Sequence, residues 1–502
     1  MSKATMTQPT LSSILHQMTT QPDPQSLAAL LPQFEELAPG DAPALVQFYK
    51  GLVLYKLQSP DAAACFGNSL ALDPNNPDAH LYFAISVPSI AGMSKHKAMA
   101  LQRDHLKTAA QLAETAYPGA PESWLNYPVS LSVYAGICNG IGPYAETEQA
   151  YRKLLRLDPN NAGFLVGLAN SLIDQGKTND TAGLLEVEQI FQSALALDPD
   201  NATVQESLAT VRHSIDLLKN TTRARKIGRY PDTTEMQGDV SDVIRRYITN
   251  QIPKIPFIGP QTRFTTMGSC FAAEISKKLQ TRGYASTHFE VSEFVNSTYA
   301  NRHMVDWAVG ECEGQPKERL DELFGGINIK PADLFHNWST ADVIVYTLGV
   351  APAFFEKGTR NFVMPRGSAL NARALAEKFD FRTTSVAENL DNLEYIYNRI
   401  RQFNTNPHLK FVITLSPVPL KATFEFDSAM FADCLSKSTL RVVAHEFTQT
   451  HGKVLYWPSF EIVRWLGGHI GPFYGIDDGA SWHISEDLIH AITDLFIEHF
   501  SQ

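Results

Sequence analysis

The sequence predicts two joined folds, an α-helical repeat array followed by an α/β domain built on a parallel sheet. Three observations carry this. A Leu-Asp-Pro turn recurs three times in the first 200 residues, each time between amphipathic stretches. From about residue 264, short β-branched runs alternate with helical patterns. With 502 residues, the chain is also too long for one ordinary core.

The repeated turn reads Ala71-Leu72-Asp73-Pro74-Asn75-Asn76, then Arg156-Leu157-Asp158-Pro159-Asn160-Asn161, then Ala196-Leu197-Asp198-Pro199-Asp200-Asn201. In each copy the Leu-Asp ends one helix, proline fixes the connection, and Asp or Asn caps the next helix. Small residues (Gly51, Ala64, Gly167, Ala194) are expected where the two helices of a hairpin approach closely. Such a hairpin cannot bury its apolar face alone and must stack on its neighbours. The pattern resembles the tetratricopeptide repeat, which implies an α-solenoid over residues 1–218 and a protein partner on its surface. The second and third turns are 40 residues apart, against the usual spacing of about 34. The surplus is placed in Gln175–Thr181, and Val87–Pro143 reads as a degenerate repeat with an insertion. His80, His96, His105 and His213 show no i, i+4 pairing and read as surface or packing residues.

Residues 219–256 read as a linker. They include a basic cluster (Arg223, Arg225, Lys226, Arg229), a short helix from about Val240 to Gln251, and the spaced prolines Pro253 and Pro256.

The α/β domain spans 257–502. Phe264–Met267, Val343–Leu348, Phe411–Leu415 and Val454–Trp457 are short and mostly apolar, as strands buried on both faces are. In a parallel sheet of this kind the site lies beyond the carboxyl ends of the strands. That rim comprises Gly268-Ser269-Cys270, Gly349–Pro352, Ser416–Pro419 and Pro458–Phe460.

A strand that ends in Gly268-Ser269-Cys270 and enters a helix at Phe271 presents a nucleophile at a helix N-terminus. There the dipole and unbonded N–H groups favour negative charge on a thiolate or an oxyanion. Met267-Gly268-Ser269-Cys270-Phe271-Ala272 resembles the motif that names the GSCFA family. Thr347-Leu348-Gly349, Ser416-Pro417-Val418-Pro419, Ser436-Lys437-Ser438-Thr439-Leu440-Arg441 and Trp457-Pro458-Ser459-Phe460 resemble its later blocks, in order. That family is similar to the SGNH/GDSL hydrolases. The resemblance implies a three-layer α/β/α fold with a nucleophile at the first strand end. Laid over the hydrolases' Gly-Asp-Ser, the motif places Cys270 at the nucleophile; a shift of one residue places Ser269 there. Both are carried.

The base expected from the resemblance is His483, in the loop before the last helix, supported by Asp478 or Asp477. The usual Asp-x-x-His spacing is broken, because Ala480 stands three residues before His483. Gly349 is expected to serve the oxyanion site. Ala351 stands where the hydrolases keep an Asn, and Asn296 either replaces it or stands at the second block. Ser416 is placed on the binding rim. Ser436-Lys437-Ser438 is expected to open a helix over Thr439–Glu446 and so to offer either a cap or an anion site.

These readings predict an SGNH-like acyl esterase or O-acyltransferase. By analogy its substrate is a carbohydrate or another hydroxylated metabolite, such as a precursor of a bacterial surface polysaccharide. The alternative is a non-enzymatic assembly module whose α/β domain binds a ligand without turning it over. No Walker or dinucleotide Gly-rich fingerprint supports phosphoryl or glycosyl transfer. A net charge of −11 disfavours nucleic acid as a partner. Five cysteines without a CxxC pair disfavour structural zinc and a disulfide framework, and no cofactor is expected. The polar N-terminus and the lack of a long apolar run predict neither a secretory signal nor a membrane span. The expected address is a reducing cytoplasm.

Overall fold

The computed structural model describes residues 9–37, 42–220, 228–268, 270–290, 296–366 and 372–501. The chain divides into two compact units, Met1–Glu235 and Met236–Gln502.

The first unit is a tetratricopeptide-like array of helices, each packed on the next. Successive hairpins pair Pro43–Lys56 with Ala62–Leu72, Tyr127–Cys138 with Tyr144–Leu157, and Ala162–Asp174 with Thr181–Leu197. The three repeated turns share one construction. The N–H groups of Asp73, Asp158 and Asp198 close the preceding helices onto Ser69, Leu154 and Ala194. The side chains of Asn76, Asn161 and Asn201 then accept from the N–H groups of Ala79, Phe164 and Val204 at 3.0, 3.1 and 3.2 Å. Each Asn satisfies one of the donors that a helix start leaves unbonded.

Close approach inside the hairpins rests on glycine. A Cβ on Gly51 would sit 2.8 Å from the Phe66 ring, and one on Gly167 would lie 2.2 Å from the Tyr151 ring. Ala194 is buried, as expected at such a position. Ala64 is not, because its side of the helix faces solvent. Gly167→Ala should therefore destabilise this unit by about 1–3 kcal/mol through overpacking. Urea unfolding followed by circular dichroism checks this; an unchanged midpoint contradicts the contact.

The region read as a degenerate repeat holds one long helix, Lys95–Ala116, packed against Pro77–Ser86 and Tyr127–Cys138. It also brings two of the scattered histidines together. The Nδ1 atoms of His80 and His105 lie 2.8 Å apart, and His80 Nε2 meets the Pro74 carbonyl at 2.9 Å. His80 thus donates from Nε2 and accepts at Nδ1. Burial, with the neighbouring His80, pushes His105 down to about 4. His105 is therefore neutral at ordinary pH, and the contact is one of packing.

The stretch read as a linker divides between the units. Arg223, Arg225 and Lys226 lie outside the described residues. Arg229 pairs with Glu235, and Asp232 accepts from the Tyr144 N–H at 2.9 Å, all within the first unit. The helix Val240–Tyr247 instead buries Val243 and Ile244 in the second unit's core.

The strands of that second unit are, in chain order, β1 (Arg263–Gly268), β2 (Ala285–Glu290), β3 (Val343–Leu348), β4 (Pro352–Glu356), β5 (Phe362–Val363), β6 (Phe379–Thr383), β7 (Lys410–Leu415) and β8 (Val454–Trp457). Five of them form one parallel sheet in the order β2-β1-β3-β7-β8. Side chains alternate between its faces. Ile344, Tyr346 and Leu348 enter one core, beneath helices that include Thr298–Ala308, Val386–Phe403 and Ala429–Thr450. Val343 and Val345 enter the other, beneath Cys270–Thr281 and Glu486–Phe500. The result is a three-layer α/β/α sandwich. The remaining strands form a small antiparallel sheet in the order β5-β4-β6.

The helix Val386–Phe403 opens with a capping box in which Glu388 also pairs with Arg382. The Arg382 hydrogen bond, aided by Ser385, holds Glu388 down at about 2. A depressed carboxyl contributes stability above its unfolded pKa and loses it as the pH falls through the folded value. Glu388→Gln should thus cost stability at neutral pH, with the difference from the parent closing as the pH falls from about 4.5 toward 2. Urea midpoints across that range test it; a constant gap contradicts the pairing.

Candidate active site

The sheet's strand order reverses at β1, which lies between β2 and β3. In open parallel sheets the crevice at such a switch point, beyond the carboxyl ends of the strands, receives ligands. Gly268 and Cys270 stand there. Gly268 holds φ at +146°, and a Cβ on it would lie 2.8 Å from that of Thr347 on β3. Glycine is therefore required both for the backbone conformation and for the approach to β3. Ser269 lies outside the described residues. Cys270 begins the helix Cys270–Thr281 and is exposed. The first-turn N–H groups of that helix lack intrahelical partners, as at any helix start.

A cavity of about 350 Å³ brings Cys270, His483 and Asp478 into one wall. His483 Nδ1 lies 2.5 Å from Asp478 Oδ2. This short contact, with the Ala480 N–H on the other carboxylate oxygen, holds Asp478 below the usual carboxylate range. The five-residue spacing works because the loop closes on itself. Tyr474 bridges Ile484, the Gly475 N–H donates to the His483 carbonyl at 2.9 Å, and the His483 N–H donates to the Ala480 carbonyl at 2.9 Å. Gly475 and Gly479, at φ +68° and +76°, make the reversals. Asp477 is used differently: its Oδ2 accepts the Glu486 N–H at 2.7 Å and so caps the last helix.

The other rim residues are built into the scaffold. Asn296 is fully buried and accepts from Asn301 at 3.1 Å, and its carbonyl takes the Val350 N–H at 3.0 Å. It packs on Gly349, where a Cβ would meet its amide at 2.5 Å. Ser416 is buried, and its hydroxyl accepts from the Val418 N–H at 3.3 Å. Among the described residues, these three are not part of the cavity wall.

Ser436-Lys437-Ser438 does not open a helix. The helix runs Ala429–Thr450 and is capped by Ser428, so these residues lie in its interior and provide no helix N-terminus for an anion. Ser436 and Lys437 face the sheet instead. Ser436 accepts the Ala351 N–H at 2.9 Å, and the buried Lys437 donates to the Gly349 carbonyl at 2.7 Å. Together they pin the loop after β3. The spacing of the buried Ser436, Leu440 and Ala444 is the signal for a longer helix.

Of the rest of the wall, Phe271 and Val418 lie within the motifs, whereas Ile484 and Ile489 do not; all four make it partly apolar. Glu274 and Glu486 join it with acidic groups. Glu274 has a sequence signal, because it stands four residues after Cys270 on the same helix face.

Residues 263–496 match the model of the GSCFA family. No curated protein matches the chain. Among solved structures, the MamA protein is 12% identical, over 38% of this chain and 93% of that one, with a TM-score of 0.29. A mutant of Thermobaculum terrenum O-GlcNAc transferase is 11% identical, over 95% of this chain and 90% of that one, with a TM-score of 0.14. Superpositions this loose transfer neither fold nor function. Among the described residues, no helix is long and apolar enough to cross a membrane.

Proposed function

We propose that the unit matching the GSCFA family is an SGNH-like acyl esterase or O-acyltransferase, with the helical array recruiting a protein partner. One observation carries the reading: Asp478 holds the Nδ1 side of His483 on the wall of a cavity that also exposes Cys270. With Asp478 accepting the Nδ1 proton, His483 Nε2 is the basic nitrogen. It removes the proton of the Ser269 hydroxyl or the Cys270 thiol as that atom attacks an ester carbonyl. N–H groups at the start of the helix Cys270–Thr281 stabilise the oxyanion. His483 then protonates the leaving alcohol, and water or a second hydroxyl takes the acyl group. By analogy, a carbohydrate or hydroxylated metabolite in the cytoplasm is the substrate class.

Serine- and thiol-directed acyl probes, followed by peptide mapping, test this. Labelling of Ser269 or Cys270 in the folded protein is expected. Labelling elsewhere with neither residue modified would end the esterase reading.

The second reading, a ligand-binding assembly module, is favoured by the fate of Asn296. Its amide nitrogen donates to the Thr347 carbonyl at 3.5 Å and its amide oxygen accepts from Asn301, and the residue is not part of the cavity wall. One missing oxyanion donor costs about 100- to 1,000-fold in rate. Absence of turnover across an ester panel, with partner capture lost on deleting residues 1–218, distinguishes this module from the enzyme.

A further inference from the structure

We infer that the cavity beside Cys270 selects a positively charged group on its substrate, an alkyl- or sugar-linked ammonium, and turns away anionic donors. The inference rests on the acyl-transfer reading for the word substrate; the charge selection stands on the cavity itself.

The wall carries four carboxylates, Glu274, Asp477, Asp478 and Glu486, and neither lysine nor arginine among its described residues. Three elements supply them: the helix after β1, the loop before His483, and the start of the last helix. Asp478 is engaged by His483 Nδ1. Among the described residues, Glu274 alone of the remaining three has an ion pair, with Lys277 at 2.5 Å. The Lys277 side chain is 66% exposed against 28% for Glu274, so its charge is the more heavily solvated. Lys421 is not part of the wall and lies over the Trp482 ring, 4.4 Å from the centroid. The starts of the helices Cys270–Thr281 and Glu486–Phe500 together offset about one unit of charge, so the wall keeps a negative excess.

Like charges converging on a concave, partly apolar wall focus their field into it and change encounter rates for charged ligands. A metal ion is a poor account of the cluster. Among the described residues, no three carboxylate, imidazole or thiol groups are placed to share one. An ammonium needs no such convergence, since it is held by summed field and by contact with apolar wall such as Val418 and Phe271. A phosphate- or carboxylate-bearing acyl donor would meet the same field as a barrier.

Cys270 is a built-in reporter, and Cys434, also exposed, is an internal reference. The full chain is treated at low salt with a cationic and an anionic methanethiosulfonate of matched size, and peptide masses are followed in time. At Cys270 the cationic-to-anionic rate ratio should exceed that of a small free thiol by about ten-fold or more. It should shrink as salt is added, and should fall in both Glu274→Gln and Glu486→Gln. Choline should protect Cys270 from a neutral thiol reagent better than its uncharged isostere 3,3-dimethylbutanol does. A ratio at Cys270 equal to that of the small thiol, a Cys270 that reacts with neither reagent, or equal protection by the two alcohols would overturn the inference. None of these readouts needs turnover. Failed acyl-probe labelling with a high ratio ends the esterase reading alone, and labelling with a flat ratio ends charge selection alone.

Discussion

Replacing His483 with alanine is expected to slow acylation at the Ser269-Cys270 turn by about 100- to 10,000-fold, the range a positioned general base supplies, while leaving the fold intact. The side chain is 47% exposed and its partner Asp478 is 48% exposed, so removing it opens no core. Asp478→Asn tests the other half of the pair. An asparagine amide donates to Nδ1, fixes the proton on Nε2, and leaves the imidazole unable to act as a base there. Because the pair is open to water, solvent steadies the imidazolium in part. The loss should therefore be smaller than for His483→Ala, and the double variant should be no worse than His483→Ala alone, as for residues that act as one unit. The Asp478 carboxyl, held low chiefly by the His483 hydrogen bond, stays ionised through the neutral range and does not set the acid limb of the rate. Acyl-probe labelling rates read by intact mass decide the matter. Cys270→Ser and Ser269→Ala, run beside them, assign the nucleophile. Labelling of His483→Ala at the parent rate removes the base.

The parts of this architecture that local chemistry dictates are legible in the amino-acid sequence. The Asn caps at Asn76 and Asn161 and the strands ending at Gly268 and Leu348 depend on residues within a few positions of one another. So does the helix start at Cys270. Features that depend on tertiary closure leave no such local trace. β2 has a mixed sequence, Ala285 to Glu290, and is a strand because β1 offers it an edge. In the small sheet, β6 carries a local trace in the alternation Phe379-Asp380-Phe381-Arg382, but β4 and the two-residue β5 carry none. Ser436 and Lys437 look like a helix start until the loop after β3 arrives to meet them. The broken Asp-x-x-His spacing looks like a loss; a loop closed by Gly475 and Gly479 restores the contact at longer range.

Asp433→Ala should be the most damaging single change near the site, costing about 3 kcal/mol, the lower end for breaking a buried pair. Asp433 is 5% exposed and performs two tasks. One oxygen accepts the Leu420 N–H at 2.8 Å, and the other pairs with Arg464 Nη2 at 2.6 Å. Arg464 Nε in turn donates to the Pro417 carbonyl at 3.0 Å, and the Tyr474 hydroxyl donates to the same carbonyl at 2.8 Å. This clamp ties the loop after β7, which carries the cavity residue Val418, to the hairpin that carries His483. Removing the carboxylate strands the Leu420 N–H and leaves Arg464, whose side chain is only 28% exposed, without its counter-charge. Asp433→Asn retains an acceptor for Leu420 and should cost less. The double variant Asp433→Ala/Arg464→Met removes both charges, so it should be less destabilised than the two single changes add up to. Urea unfolding of the four proteins supplies the cycle. Additive single effects would show that the pair is not a unit, and that the two loops are held in register by Tyr474 and the local backbone instead.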